Sequence, residues 1–115
     1  MGSICGKDES GSGKPCVIMI KNVTELKAFK EKNKVCIVDA CATWSPQCLA
    51  VAPKYEAMSG EFEGKCAFGK FDTDKASDVK EECDIKSMPT FIMFKDDKEV
   101  GRLPGGNAEM IRNLI

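Results

Sequence analysis

Residues 35–48 have the sequence VCIVDACATWSPQC, which joins an apolar run to the start of a helix. The β-branched run before Asp39 is typical of a strand that is covered on both faces. Ser45 is a favoured helix N-cap, and Pro46 stands where proline is favoured, at the first helical position. The stretch therefore predicts the central strand of a sheet, followed directly by a helix.

The predicted helix extends to about Gly64. Its apolar side chains fall at helical spacing and form one stripe: Val51, Tyr55, Met58 and Phe62. Pro53 lies inside it and should kink it, because proline lacks an amide hydrogen and its ring crowds the preceding turn.

Elements of alternating type surround this strand and helix. VIMI (17–20) predicts a buried strand, and Asn22 with Glu25 predicts the start of a helix through about Lys32. Further strands are predicted at 66–74, 90–95 and 99–104, and further helices at 75–84 and 107–115. This order predicts an α/β fold, in which a central mixed sheet is flanked by helices on both faces.

Length and composition restrict the possibilities. The chain has 115 residues, of which 43% are hydrophobic and 30% charged, so we expect one folded domain. Residues 1–16 are rich in Gly and Ser and predict a flexible N-terminal tail, which leaves 17–115 for the domain. A net charge of -1 argues against nucleic acid as a partner. No apolar run is long enough for a membrane span.

The sequence contains no histidine, so catalysis and metal binding by imidazole are excluded. We expect no metal and no cofactor. The seven cysteines are an odd number without regular spacing, and no secretory signal precedes them. A reducing, cytoplasmic location is therefore expected.

Motifs in order along residues 17–115 resemble the thioredoxin family. Residues 38–48 resemble its strand, buried acid and Cys-x-x-Cys segment, and residues 88–91 (MPTF) resemble its cis-proline loop. Further similarities lie at Pro53, at residues 71–74 (FDTD), at Val100-Gly101 and at Gly105-Gly106-Asn107. The resemblance implies the thioredoxin fold and a function in thiol–disulfide exchange and cell redox homeostasis.

The chain departs from the family at the reacting position. Where the family has Trp-Cys-Gly-Pro-Cys, residues 44–48 are WSPQC, so Ser45 replaces the nucleophilic cysteine and Cys48 keeps the resolving position. A hydroxyl is not appreciably ionised near neutral pH and forms no disulfide, so we expect dithiol reductase activity to be weak or absent. Ser45 has three interpretations: a helix cap without chemistry, a hydrogen-bonding partner that tunes Cys48, or an introduced replacement of a cysteine.

Cys48 and Asp39 are the remaining candidates for chemistry. In the family such an acid lies behind the second cysteine as its proton acceptor, and burial should raise its pKa. The alternatives are that Cys48 is an inert buried thiol and that Asp39 is neutral or paired with Lys70. A disulfide between Cys41 and Cys48 is also open. We expect three more cysteines to pack in the interior: Cys36, Cys66 and Cys83.

The resemblance also implies a shallow groove that holds an extended peptide, formed by Trp44, Met88, Pro89, Gly105 and Gly106. The leading hypothesis is disulfide exchange through Cys48 with protein thiols, protein disulfides or peptide clients; glutathione and a thioredoxin reductase are further candidate partners. The alternative is a non-catalytic module that binds clients in this groove. A third hypothesis, iron–sulfur binding through Cys48, needs thiolates from another subunit or from glutathione.

Overall fold

The computed structural model describes residues 16–105 and 107–115. The predicted tail therefore lies almost wholly outside the described residues, as does Gly106. The elements follow the predicted order: β1 (Val17–Met19), α1 (Val23–Lys32), β2 (Val35–Cys41), α2 (Pro46–Glu61), β3 (Ala67–Asp72), α3 (Ser77–Glu82), β4 (Thr90–Lys95), β5 (Lys98–Pro104) and α4 (Ala108–Leu114).

The five strands form one mixed sheet in the order β1-β3-β2-β4-β5. β3 pairs in parallel with both β1 and β2, whereas β4 pairs antiparallel with β2 and β5. β2 is thus the central strand, as predicted, and five of its seven residues are buried. In this register Asp39 lies opposite Lys70 on β3 and opposite Phe91 on β4.

The prediction of a buried first strand is wrong. β1 lies at the edge of the sheet, and the side chain of Met19 is 47% exposed. Only Ile20, just after the strand, is fully buried, and its N–H donates to the carbonyl oxygen of Lys70 at 2.8 Å. The apolar run VIMI gives no information on the order of the strands in the sheet. That order decides whether a strand has neighbours on both sides or lies at the edge.

Two apolar cores lie on opposite faces of the sheet. The core beneath α1 and α3 contains Phe29, Val38, Phe71, Val79 and Ile92, among other buried side chains. The core beneath α2 and α4 contains Ile37, Tyr55, Phe68, Phe91 and Ile111. Side chains along a strand point alternately to its two faces, so β2 contributes to both cores.

The helix starts use the side chains that the sequence predicts. Asn22 and Asn107 cap α1 and α4, each accepting a backbone N–H at 2.9 Å through its side-chain oxygen. α2 contains Pro53, as predicted. Two turns into the helix, the buried hydroxyl of Tyr55 hydrogen-bonds to the carbonyl oxygens of Ile37 and Gly69, at 3.2 and 2.7 Å. This hydroxyl therefore fixes α2 to β2 and β3 at once.

Among the helices of the described residues, none has the length and apolar character needed to cross a membrane.

Candidate functional site

The turn between β2 and α2 places Ser45 at the N-cap of the helix. Its backbone is extended, and its hydroxyl oxygen accepts the N–H of Cys48 at 3.4 Å. Pro46 occupies the first turn, where its missing N–H costs nothing. Ser45 is only 3% exposed. The hydroxyl therefore has a structural task, as the capping interpretation predicts.

Cys48 lies in the first turn of α2 and is also only 3% exposed. Its Sγ accepts the backbone N–H of Ala42 at 3.4 Å. The sulfur of Cys48 thus lies at the start of α2 with a backbone donor directed at it.

Asp39 projects from β2 toward α2 and is 3% exposed. Burial raises its pKa to about 6, against the lowering effects of a hydrogen bond from Cys41 and of the charge of Lys70. The predicted upward shift is therefore present. Lys70 acts on Asp39 through its charge, while the hydrogen-bonding partner of the carboxylate is a thiol: the Sγ of Cys41 donates to Oδ1 at 3.1 Å.

Cys41 lies beside both members of the expected acid–thiol pair. Two residues along the strand from Asp39, it points to the same face, and the N–H of the next residue, Ala42, donates to the Sγ of Cys48. Both cysteines are free thiols in the structure. Burial and then the charge of Asp39 raise the pKa of Cys41 far above that of an ordinary thiol. Sequence reasoning identified Cys41 only as a candidate disulfide partner and missed its bond to Asp39.

Trp44 is exposed beside this cluster. Its side chain is 64% exposed, and its indole N–H donates to Oδ2 of Asp74 at 2.8 Å. The N–H of Asp74 donates to Oδ1 of Asp72, also at 2.8 Å, in a short turn after β3. The sequence analysis noted Asp74 only as part of the FDTD motif and did not predict its bond to Trp44. The position of Asp74, just after the strand next to β2, could have indicated that it lies near Trp44.

A groove of about 550 Å³ lies next to the start of α2. The peptide bond between Met88 and Pro89 is cis, and the carbonyl oxygen of Pro89 accepts the N–H of Gly105 at 2.6 Å. The groove brings three of the predicted residues together, Met88, Pro89 and Gly105. Its other described lining residues are Gln47, Ala50, Val51, Lys54, Ser87, Pro104, Asn107 and Ala108, so Trp44 lies outside this described lining.

The three cysteines expected in the interior are buried: Cys36, Cys66 and Cys83. Burial raises the pKa of Cys36 and Cys66 to about 12 and that of Cys83 to about 11. Each is therefore a packed thiol with little thiolate at neutral pH.

A mixed five-stranded sheet with a cysteine in the first turn of the helix after its central strand is the arrangement of the thioredoxin-like class of α/β proteins. The thioredoxin family model matches residues 17–115. Thioredoxin of Echinococcus granulosus is 41% identical over 90 residues, which cover 78% of this chain and 83% of that protein. Thioredoxin of Coprinus comatus is 34% identical over 100 residues, with 86% and 94% covered.

Among solved structures, Plasmodium falciparum thioredoxin superposes with a TM-score of 0.81 at 35% identity, covering 85% of this chain and 95% of that one. The chain belongs to the thioredoxin family, and its fold is the thioredoxin fold.

Proposed function

We propose that this protein takes part in thiol–disulfide exchange through Cys48 and that its reduction of protein disulfides is weak or absent. The observation that carries the proposal is the turn at residues 45–48, where a buried serine caps the helix and the only sulfur is that of Cys48. Exchange through a single thiol at this turn stops at the mixed disulfide unless another thiol releases the client.

Ser45 is unsuited to attack for two reasons. Its oxygen already accepts the N–H of Cys48, and the sequence has no histidine to remove its proton. An oxygen nucleophile also forms no disulfide with a client sulfur. Cys48 is therefore the proposed reacting group, and Asp39 is the proposed acid–base group that supports it.

The groove supplies a surface for partners. Its mostly apolar lining and the backbone at Met88 suit an extended peptide, which would pair with the chain like an added strand. We propose protein thiols, protein disulfides or peptide clients as partners, with glutathione or a thioredoxin reductase as sources of electrons. The cysteines are odd in number and without regular spacing, which supports a reducing compartment, and we propose the cytoplasm.

A second candidate function is a non-catalytic module that binds peptide clients. It is favoured by the lining of the groove, whose described residues include neither Ser45 nor Cys48. Binding there would not need a reacting sulfur.

Reduction of insulin disulfides, followed by turbidity, tests the proposal with the parent chain and Ser45→Cys. The variant places a thiol at the N-terminus of α2 with Cys48 to resolve the mixed disulfide, so its rate should exceed that of the parent at least ~tenfold. The double variant Ser45→Cys with Cys48→Ser is the matched control and should lose the gain. A Ser45→Cys variant that forms its disulfide with Cys48 but reduces insulin no faster than the parent would favour the binding module.

A further inference from the structure

The thiol of Cys41 lies beside Cys48 on the side of the sheet that faces α2. We propose that Cys41 and Cys48 form a reversible disulfide when the protein reacts with a low-molecular-weight disulfide of the glutathione class, with Asp39 accepting the proton of Cys41. This inference rests on the proposed function, because it starts from Cys48 as the reacting thiol. Cys41 would supply the second thiol of the exchange, since residue 45 is a serine.

The geometry places the two cysteines on the same side of the sheet. Cys41 is the last residue of β2, and the N–H of the next residue, Ala42, donates to the Sγ of Cys48 at 3.4 Å. The side chain of Cys41 points to the face of β2 that carries Asp39, to which it donates at 3.1 Å. A strand end and a helix start thus place the two cysteines beside each other although six residues separate them in the chain.

The surroundings of the two sulfurs assign them different roles. Cys48 lies in the first turn of α2, where its Sγ accepts a backbone N–H and, among the described residues, has no carboxylate bonded to it. Cys41 donates to the carboxylate of Asp39 at 3.1 Å, so its proton has an acceptor already in place. Burial and the charge of Asp39 keep the pKa of Cys41 high, which favours its neutral thiol until a mixed disulfide exists on Cys48. Cys48 therefore attacks first and Cys41 second.

The exchange balances in two steps. The thiolate of Cys48 attacks one sulfur of glutathione disulfide, the S–S bond breaks, and one glutathione leaves as a thiolate. Asp39 then takes the proton of Cys41, whose sulfur attacks the Sγ of Cys48 and displaces the second glutathione. The two leaving thiolates take up the protons lost by Cys48 and Cys41. Glutathione disulfide gains two electrons, and the Cys41–Cys48 pair loses two.

The burial of Cys48 selects the size of the substrate. Cys48 is 3% exposed under the capped start of α2, so a small disulfide reaches it with less opening of the first turn than a protein client requires. Cys41 is half-buried and borders the same site, so one side of the pair is open. A small disulfide is therefore the substrate that this geometry favours.

The test is to incubate the reduced full chain with glutathione disulfide, quench with acid, alkylate and digest with trypsin. Cleavage at lysine yields one peptide, residues 35–54, whose fragmentation distinguishes Cys36, Cys41 and Cys48. In the parent chain we expect a Cys41–Cys48 disulfide with Cys36 alkylated only after denaturation. In Cys41→Ser, which keeps the size of the side chain, the mixed disulfide of Cys48 with glutathione should accumulate at least ~tenfold over the parent. Cys83→Ser is the control and should behave as the parent does.

Asp39→Asn tests the proton transfer separately. It should slow closure of the Cys41–Cys48 disulfide, timed from the mixed disulfide on Cys48, roughly 10²-fold, the usual size of a general-base effect.

The outcomes separate the inference from the proposed function. A stable mixed disulfide at Cys48 in the parent, with no bridge to Cys41, overturns the inference and leaves exchange through Cys48 intact. No reaction at Cys48 in the parent overturns both. The parent chain alone decides these outcomes, so poor folding of a variant does not affect them.

Discussion

Cys36 and Cys41 lie on the same strand, β2, five residues apart, and differ in their exposure and in the groups around them. Cys36 is fully buried in the core beneath α1 and α3, and Cys41 is half-buried on the opposite face beside Asp39 and Cys48. Burial raises the pKa of both thiols. Of the two thiols, Cys41 donates to a carboxylate, that of Asp39, and is followed by the residue whose N–H donates to the Sγ of Cys48. The reactivity of a thiol on β2 thus depends on the face of the sheet it occupies and on the side chains packed against that face. A high pKa alone does not mark a thiol as inert.

The largest expected difference between these thiols is in their rate of alkylation by a maleimide in the native protein. Cys36 is 0% exposed, so it should react only after global unfolding, whereas Cys41 needs at most local opening. With a stability of about 5 kcal/mol or more, Cys36 should react at least ~10³-fold more slowly than Cys41. Timed alkylation followed by mass spectrometry measures both rates. Equal rates would mean that β2 opens as one unit.

Asp39→Asn should stabilise the protein at neutral pH. The pKa of the folded carboxyl, about 6, exceeds the ordinary 3.8, so the folded state binds the proton more tightly than the unfolded state. The free energy of unfolding therefore falls as the pH rises from about 4 through 6. Removing the ionisable group should recover up to about 3 kcal/mol at pH 7.5 and nothing at pH 3.5.

Urea unfolding of the Asp39→Asn variant at these two pH values checks the sign. The groups that act on Asp39 are Cys41 on its own strand, Lys70 on β3 and Tyr55 on α2. Glu82→Gln, at an exposed carboxylate, is the control and should show no such pH dependence. A destabilised Asn variant at pH 7.5 would show that the charged form of Asp39 is needed for the fold.

Substitution by serine should affect the two thiols unequally. Cys36→Ser places a hydroxyl in an apolar core and should cost about 2 kcal/mol of unfolding free energy, the usual penalty for a buried polar group. Cys41→Ser keeps the donor to Asp39 at a half-buried position and should cost less than ~1 kcal/mol. Thermal unfolding of both variants measures the difference. A larger loss at Cys41 would reverse the assignment of Cys36 as the packed thiol.

Ser45→Ala should have a smaller effect on stability than Cys36→Ser. Loss of the N-cap should cost about 1 kcal/mol of unfolding free energy. The cap holds the first turn of α2, which contains Cys48, in place. Maleimide should therefore react faster with Cys48 in this variant, while the rate at Cys36 stays that of the parent. Pro46 and the rest of the helix are unchanged in this variant, so an unaltered rate at Cys48 would show that the cap does not limit access.

The sequence predicted the fold well because its signals are local. The central position of β2, the caps at Asn22, Ser45 and Asn107, and the β4–β5 hairpin all follow from short patterns. The exposed face of β1 did not follow, because strand order is a property of the whole sheet.

The sequence indicated which residues form the candidate site but not the hydrogen bonds between their side chains. The cap position of Ser45, which one of its three interpretations predicts, is confirmed, and the raised pKa of Asp39 followed from its place in an apolar strand. The bond from Cys41 to Asp39 depends on side-chain orientation, as the bond from Trp44 to Asp74 does on the packing of two loops. Local sequence patterns do not predict such contacts, because they depend on how side chains are oriented in the folded protein.

Pro53 and Tyr55 divide α2 into parts with different local stability. Proline donates no hydrogen bond, so the carbonyl oxygen of Leu49 lacks its usual helical donor, while the hydroxyl of Tyr55 ties the following turn to β2 and β3. The first turn, with Cys48, is therefore free to open as a subglobal unit without release of the second half from the sheet. Amide hydrogens before Pro53 should exchange with solvent in minutes under conditions in which those after Tyr55 stay protected for hours.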